Sequence, residues 1–231
     1  MWAPRSEAAH TRGLFPALTA NLNVRWCSLQ LKIEVGNAIF RHDPRFKGRF
    51  LLVGGERAEE SKPRERQSPV EENNATALTK GRDVTKWRAI HSWAEEEVWA
   101  IIKRWGIVPH PGYRLGFGRL SCMTCIFGDK NQWATIREGA PAFFARIAAA
   151  EAGTAMTIRA KKRQKNLQVF YEQITVGDFA DQGCSFAPKG AEGRALWKLA
   201  LAERYDEDVV TSPRRWQLPP GAFKKGGGPP T

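Results

Sequence analysis

Two cysteines three positions apart, in the stretch SCMTC, have the spacing in this chain that most directly suggests chemistry. A C-x-x-C turn can direct two thiolates at one metal ion, each about 2.3 Å from it. Cys122 and Cys125 supply two ligands, so a four-cysteine zinc site or 4Fe-4S cluster would also need Cys27 and Cys184. The pair also suits a redox dithiol, because Cys125 shortly precedes a predicted helix, or two buried thiols that pack as small apolar groups. The sequence leaves these three interpretations open.

A second candidate is the stretch GGERAEESKPRER, residues 54–66, which follows a predicted strand. Its glycines expose backbone amides, and Arg57, Arg64 and Arg66 offer guanidinium groups that match the oxygens of a sulfate or phosphate. The carboxyl ends of strands are where α/β sheets usually bind ligands. The alternative interpretation is a solvated run whose acids and bases neutralise each other.

A third candidate is HPGYRLGFGR, residues 110–119, whose glycines would let the backbone approach a ligand closely. Its polar side chains could add donors around an anion, although a histidine beside prolines is more often structural. The residues concerned are His110, Tyr113, Arg114 and Arg119.

The formal net charge of +12 over 231 residues favours an anionic partner, which could be a nucleotide, a sulfate or phosphate ester, or nucleic acid. The basic run at residues 159–165 could meet nucleic acid phosphates, although a solvated helix face is the commoner explanation. No apolar run approaches the roughly 18 residues of a membrane span, and the N-terminus lacks the apolar stretch of a secretory signal. The sequence therefore predicts a cytoplasmic protein, and it leaves the oligomeric state open.

Hydrophobic patterns predict the elements that position these candidates. A helix is expected from Arg25 to about Phe40, a buried strand in RFLLVGGER, a long loop over 56–86 and a second strand in WRAIHSW. Ser92 and Glu95 form a capping-box pattern at the start of a helix whose apolar stripe includes Trp105 and which ends at Gly106.

Further helices are expected along the second half of the chain. One helix should occupy residues 131–153 in two pieces, with Pro141 in the first turn of the second piece and Gly153 at its end. Two more are predicted at about 168–182 and 192–205, ahead of a tail rich in proline and glycine.

Three stretches in this order resemble the phosphoadenosine phosphosulfate reductase family of the PP-loop, or adenine nucleotide alpha-hydrolase-like, superfamily. They are RWCSLQLK, LLVGGERAEESKPRER and WRAIHSWAEEEVWAIIKRWGIVPHPGYRLGFGRLSCMTC. The resemblance covers about residues 12–130 and implies a partial Rossmann-like α/β parallel sheet that binds an adenylylated sulfate, with a mainly helical region after it. It marks Arg57, Glu60, Ser61 and Arg64 as ligand contacts. In cluster-bearing relatives it implies an iron-sulfur cluster on Cys27, Cys122 and Cys125, with Cys184 as a candidate fourth ligand.

Two motifs of this family have no counterpart in the sequence. These are the N-terminal Ser-Gly-Gly-x-Asp-Ser loop, which cradles phosphate, and the C-terminal Glu-Cys-Gly-x-His motif, which carries the nucleophilic cysteine. The expected organisation is therefore the later part of the α/β domain at 1–130, a helical extension at 131–210 and a flexible tail at 211–231. The ending WQLPPGAF is similar to prophage-type members, and the missing first strands suggest an incomplete copy of the fold.

The resemblance implies an oxidoreductase or sulfurtransferase that reduces a sulfonucleotide or transfers sulfur with ATP. Its expected partners are an adenine sulfonucleotide or ATP and an electron-donor protein. Two alternatives differ in class. One is a DNA phosphorothioation-type sulfurtransferase component or DNA-binding protein, and the other is a non-catalytic remnant that binds an anion or a partner.

Overall fold

The computed structural model describes residues 26–153, 159–165, 168–203 and 208–224. The chain is α/β, and its described residues fall into two compact units that meet in sequence between Ala94 and Glu95. The division at residue 130 that the sequence predicts stays a prediction. Within the described ranges, no helix is long and apolar enough to cross a membrane.

The described part of the first unit begins with helix α1, as the sequence predicts. It runs through Trp26–Ser28, a π-helical stretch at Leu29–Ile33, and Glu34–His42. A short 3₁₀ turn, Pro44–Phe46, leads into the sheet, and the Asp43 carboxylate caps it by accepting a hydrogen bond of 2.9 Å from the Arg45 backbone N–H.

A three-stranded sheet forms the centre of this unit, in the order β1-β3-β2. Its strands are β1 at Gly48–Gly54, β2 at Val70–Glu72 and β3 at Arg82–Arg88. β1 runs parallel to β3 with Gly54 opposite Arg88, whereas β2 runs antiparallel to β3. One face is packed by Phe40, Phe46 and Phe50, whose ring centroids lie 5.2–5.3 Å apart.

Three predictions for the first unit are wrong in detail. Residues 56–86 are not one long loop, because they contain 3₁₀ turns at Ala58–Glu60 and Leu78–Lys80, the short helix α2 at Lys62–Glu65, β2 and most of β3. The strand expected in WRAIHSW begins earlier, at Arg82, and ends at Arg88, because residues 82–88 are the ones that pair with β1. β1 is not buried on both faces, because Leu51 and Val53 remain 52% and 58% exposed.

The described part of the second unit begins with helix α3, Glu95–Arg104. Because the helix starts at Glu95, Ala94 and not Ser92 precedes its first turn, so the predicted capping box does not form there. Trp99 is the buried aromatic of this helix, while Trp105 is 66% exposed. Gly106 ends the helix as predicted, with φ of +62°, a backbone conformation that residues with a Cβ rarely adopt.

The remaining helices of the second unit surround an aromatic core. They are α4 at Pro111–Arg114, α5 at Lys130–Gly139, α6 at Pro141–Ala152, α7 at Val176–Asp181 and α8 at Gly190–Ala200. The two-piece helix broken at Pro141 and ended at Gly153 is confirmed. Trp133 on α5 is fully buried, and Gly139 has no room for a Cβ because the Trp197 ring lies against it.

Between α6 and α7 lies an antiparallel pair of strands, β4 at Arg159–Lys165 and β5 at Gln168–Ile174. The helix predicted from about residue 168 is wrong at its start, and the helix face weighed as the commoner explanation for the basic run does not form. Val169, Phe170 and Tyr171 are β-branched or aromatic residues that favour a strand. Only α7 remains of that predicted helix.

The segment 208–224 packs against α4 and the residues that precede it. The Trp216 indole Nε1–H donates a hydrogen bond of 2.8 Å to the Ile107 carbonyl, and the Gly221 N–H donates one of 2.9 Å to the Tyr113 carbonyl. These contacts involve residues that the sequence interpretation assigned to a flexible tail.

Candidate functional site

The loop after β1 is held in place by backbone contacts to the turn after β3. The Ala58 N–H donates a hydrogen bond of 2.8 Å to the His91 carbonyl, and the His91 Nε2 lies 3.0 Å from the Arg64 carbonyl oxygen. Because β1 and β3 are parallel, both segments leave the carboxyl end of the sheet. This is the end at which α/β folds usually bind ligands.

Three of the four residues predicted for this loop come together. Glu60 forms ion pairs with both Arg57 and Arg64, and its Oε1 lies 3.8 Å from the Arg57 Nε. Arg57 also pairs with Glu59, and its side chain is only 12% exposed. Ser61, the fourth predicted residue, lies between the 3₁₀ turn and α2 in an extended conformation, and its side chain does not cap α2.

The ion pairs agree in part with each interpretation of the loop, the anion-binding site and the solvated charge run. The acids and bases do neutralise each other, as a solvated charge run would. The Arg57 guanidinium, however, is largely withdrawn from water, which a simple solvated run does not require. A guanidinium has five N–H donors, so Arg57 and Arg64 can hold Glu60 and still donate to an anion.

Further charged residues at the same end of the sheet were missed by the sequence analysis. The Lys86 Nζ lies 2.7 Å from the Glu56 Oε1. Burial alone would raise the pKa of Glu56, but the hydrogen bond and charge of Lys86, with the charge of Arg88, outweigh it, so the pKa lies below its ordinary value. Glu56 is therefore a stable carboxylate at neutral pH.

Arg88 is the most buried of these charged groups, at 2% exposure. It donates hydrogen bonds of 2.5 Å to the Ser68 carbonyl and to the Glu71 carboxylate, which join the end of β3 to the chain that enters β2. Its Nε has no partner among the described residues. Lys86 and Arg88 lie two positions apart on β3 and therefore share one face of the strand.

The predicted residues of the second unit have mainly structural contacts. The His110 Nδ1 accepts a hydrogen bond of 3.0 Å from the Gly112 N–H and so caps α4. Burial lowers the pKa of His110 below its ordinary value, which favours the neutral ring that this cap requires. The Tyr113 ring packs edge-on against Trp99 with centroids 5.2 Å apart.

Arg114 lines a cavity of about 480 Å³ in the second unit, together with Arg215, Glu192 and an apolar wall that includes Leu218. Arg119, the last residue predicted from this stretch, is half-buried beyond α4. The structure describes no anion-binding arrangement that combines His110, Tyr113, Arg114 and Arg119.

Cys122 and Cys125 form a turn just before α5. The Cys125 N–H donates a hydrogen bond of 3.1 Å to the Cys122 carbonyl, and the Gln132 side chain donates one of 2.9 Å to the Met123 carbonyl. Cys122 is exposed and Cys125 is half-buried. The Cys184 N–H is bound to the Asn131 side chain on α5, at 2.9 Å.

The described part of the chain leaves the metal site expected on Cys27, Cys122 and Cys125 as a prediction. There, no group of three or more His, Cys, Asp and Glu side chains could hold a metal ion. A structural zinc site or a cluster needs four protein ligands, and the Cys122–Cys125 turn offers two. None of the four cysteines, all of them described, lies in a disulfide.

We expect the four thiols to react with iodoacetamide in two classes. Cys122 and Cys184 are exposed, whereas Cys27 and Cys125 are half-buried, so the first two should be alkylated several-fold faster in the native protein. Timed quenching followed by peptide mass spectrometry measures the four rates. The control is the urea-unfolded chain, in which the difference should vanish. Faster alkylation of Cys125 than of Cys122 in the native protein would contradict this arrangement.

Comparison with known proteins gives one match. Residues 23–127 match the family model described as phosphoadenosine phosphosulfate reductase domain. This segment includes the loop after β1 that carries Arg57 and Arg64 (the arginine-bearing loop), the sheet of the first unit and the Cys122–Cys125 turn. Neither the curated proteins nor the solved structures contain a match to the chain.

Proposed function

Because residues 23–127 match the family model of the phosphoadenosine phosphosulfate reductase domain, we propose that the chain binds an adenine sulfonucleotide at the loop after β1. The reaction we propose is reduction of the adenylylated sulfate with electrons from a separate electron-donor protein, or ATP-dependent sulfur transfer. Both reactions begin with the same binding step, in which the anionic end of the nucleotide meets the loop.

The observation that carries this proposal is the convergence of Arg57 and Arg64 on Glu60 at the carboxyl end of β1. A shared carboxylate fixes two flexible guanidinium groups before any ligand arrives. Their ordering then costs less when the ligand binds, because part of the side-chain entropy has already been lost.

The chemistry of the loop fits a sulfate or phosphate ester better than a neutral ligand. Two guanidinium groups can donate to several oxygens of one tetrahedral anion, which makes charge-assisted hydrogen bonds. Glu60 has a positioning role in this scheme, since it holds Arg57 and Arg64 but would repel the anion itself. The Lys86–Glu56 ion pair and buried Arg88 support the neighbouring strand ends.

The proposal is tested by titration calorimetry with adenosine 5′-phosphosulfate and with AMP. We expect Arg57→Ala and Arg64→Ala each to weaken binding of the phosphosulfate by about 10-fold to 100-fold, as for loss of a charge-assisted hydrogen bond of about 1.5–3 kcal/mol. AMP lacks the sulfate group, so the same substitutions should weaken its binding less.

Lys80→Ala provides the control, because Lys80 is an exposed cation of the same unit outside the loop. It should bind both nucleotides like the wild-type chain. Circular dichroism should show that all three variants are folded. Equal affinity for the phosphosulfate in the wild type and both arginine variants would refute the proposal.

A further inference from the structure

The strand pair β4–β5 concentrates positive charge in a way that the sulfonucleotide proposal does not use. The two strands pair over seven residues each, with Arg159 opposite Ile174 and Lys165 opposite Gln168. Within the described residues, the pair forms a separate two-stranded sheet. It is therefore an antiparallel ribbon and not an extension of the sheet in the first unit.

Five of the seven residues of β4 are basic and none is acidic. Because residues on a strand alternate between its faces, positions 159, 161, 163 and 165 share one face, and all four are arginine or lysine. On β5, the residues opposite these positions include one acid, Glu172, which lies opposite Lys161. One face of the ribbon thus carries a continuous row of basic positions.

The dimensions of this row suit a polyanion. Two strand residues span about 6.8 Å, so four basic positions extend over about 20 Å. Duplex DNA carries a phosphate every 3.4 Å or so along each strand, which places several phosphates within that length. The chain as a whole adds attraction, since its formal net charge is +12.

From this placement we propose that the β4–β5 ribbon binds the phosphate backbone of double-stranded DNA. The major groove of B-form DNA is about 12 Å wide and admits a two-stranded ribbon, whereas the major groove of A-form RNA is too narrow. Contacts to phosphate carry no sequence information by themselves, so the binding is expected to be independent of sequence.

The test is fluorescence anisotropy of a labelled 20-base-pair DNA duplex with the full-length chain, at salt concentrations between 50 and 200 mM. Each lysine or arginine that contacts a phosphate contributes about one unit to the slope of log K against log salt. In Lys161→Ala/Arg163→Ala the slope should therefore become less negative by about two, and the affinity at 50 mM salt should fall by about 10-fold or more.

Two further variants distinguish direct contact between the ribbon and DNA from the general attraction of a positively charged protein to DNA. Arg194→Ala/Lys198→Ala removes the same charge from exposed positions of α8 and should change the slope by less than half as much. Lys161→Arg/Arg163→Lys keeps the charges of the ribbon and should bind like the wild type. This second variant also shows whether a loss in the alanine variant comes from charge and not from damage to the fold.

Three outcomes would overturn the proposal. The first is no binding of the duplex by the wild type at 50 mM salt, and the second is an equal loss in the ribbon variant and the α8 variant. The third is binding of an RNA duplex of the same sequence at least as tightly as the DNA. None of these outcomes depends on whether the chain binds a sulfonucleotide.

Discussion

Replacing Trp133 by alanine is expected to lower the free energy of unfolding by about 3–5 kcal/mol, the range for deletion of a large aromatic side chain from a core. Trp133 has no exposed surface, and its ring packs against Phe144 with centroids 6.2 Å apart. The cavity left by its removal cannot close easily, because α5 and α6 are joined through Ala140 alone. Urea unfolding followed by far-UV circular dichroism measures the change without relying on tryptophan fluorescence.

The matched control is Trp105→Ala, which removes the same side chain from a position that is 66% exposed. It should change the free energy of unfolding by no more than about 0.5 kcal/mol. Trp133→Phe should lie between the two, since it keeps most of the ring and removes a buried indole N–H that has no partner among the described residues. Equal urea midpoints for Trp133→Ala and Trp105→Ala would contradict the burial of Trp133.

Arg88→Ala is expected to destabilise the first unit by about 1–3 kcal/mol, the cost of leaving a buried polar group without its hydrogen-bond partner. The Glu71 side chain is 41% exposed, so the carboxylate left behind is solvated and adds little to this cost. The substitution removes two hydrogen bonds of 2.5 Å and leaves the Ser68 carbonyl without this donor. It also cuts the link between the end of β3 and the chain entering β2. Hydrogen exchange should therefore show faster exchange at β2 than at β1, which pairs with the other side of β3.

Arg49→Ala serves as the comparison for Arg88→Ala. Arg49 also lies in this sheet and pairs with Asp83 at 2.9 Å, but its side chain is 85% exposed. Ion pairs at such positions contribute about 0–1 kcal/mol, so this variant should unfold close to the wild type. If Arg49→Ala cost as much as Arg88→Ala, burial would not be the source of the effect.

Helix ends that are marked by a proline or a glycine could be predicted from the sequence. Pro141 and Gly153 bound α6 as expected, and Gly106 ends α3, because proline and glycine act through the backbone of their own residues. The predicted start of α3 was wrong. The residue types at Ser92 and Glu95 match a capping box, but the helix begins only at Glu95. The parallel α/β character followed from the apolar run of β1 and the family resemblance together.

The elements between residues 56 and 86 could not be predicted, because they depend on partners distant in sequence. β2 is three residues long and exists through its pairing with β3. The basic run of β4 has no apolar alternation of its own, so its strand character comes from β5. Short elements of this kind have little intrinsic preference, and tertiary contacts decide their conformation.

The sequence predicts those residues of the candidate site that lie close to one another in the chain. Arg57, Glu60 and Arg64 lie three and four residues apart, and the structure joins them in ion pairs. Lys86 and Arg88 were missed, since their acidic partners Glu56 and Glu71 are 30 and 17 residues away in sequence. No pattern within a short window contains such pairs.

The parallel pairing of β1 with β3 has a consequence for how the chain folds. Paired residues such as Arg49 and Asp83 are 34 positions apart, and the arginine-bearing loop lies within the segment that must close between them. Closing a long segment costs entropy before its contacts are made, which slows folding. The loop after β1 is therefore closed at both ends only once β1 and β3 have paired.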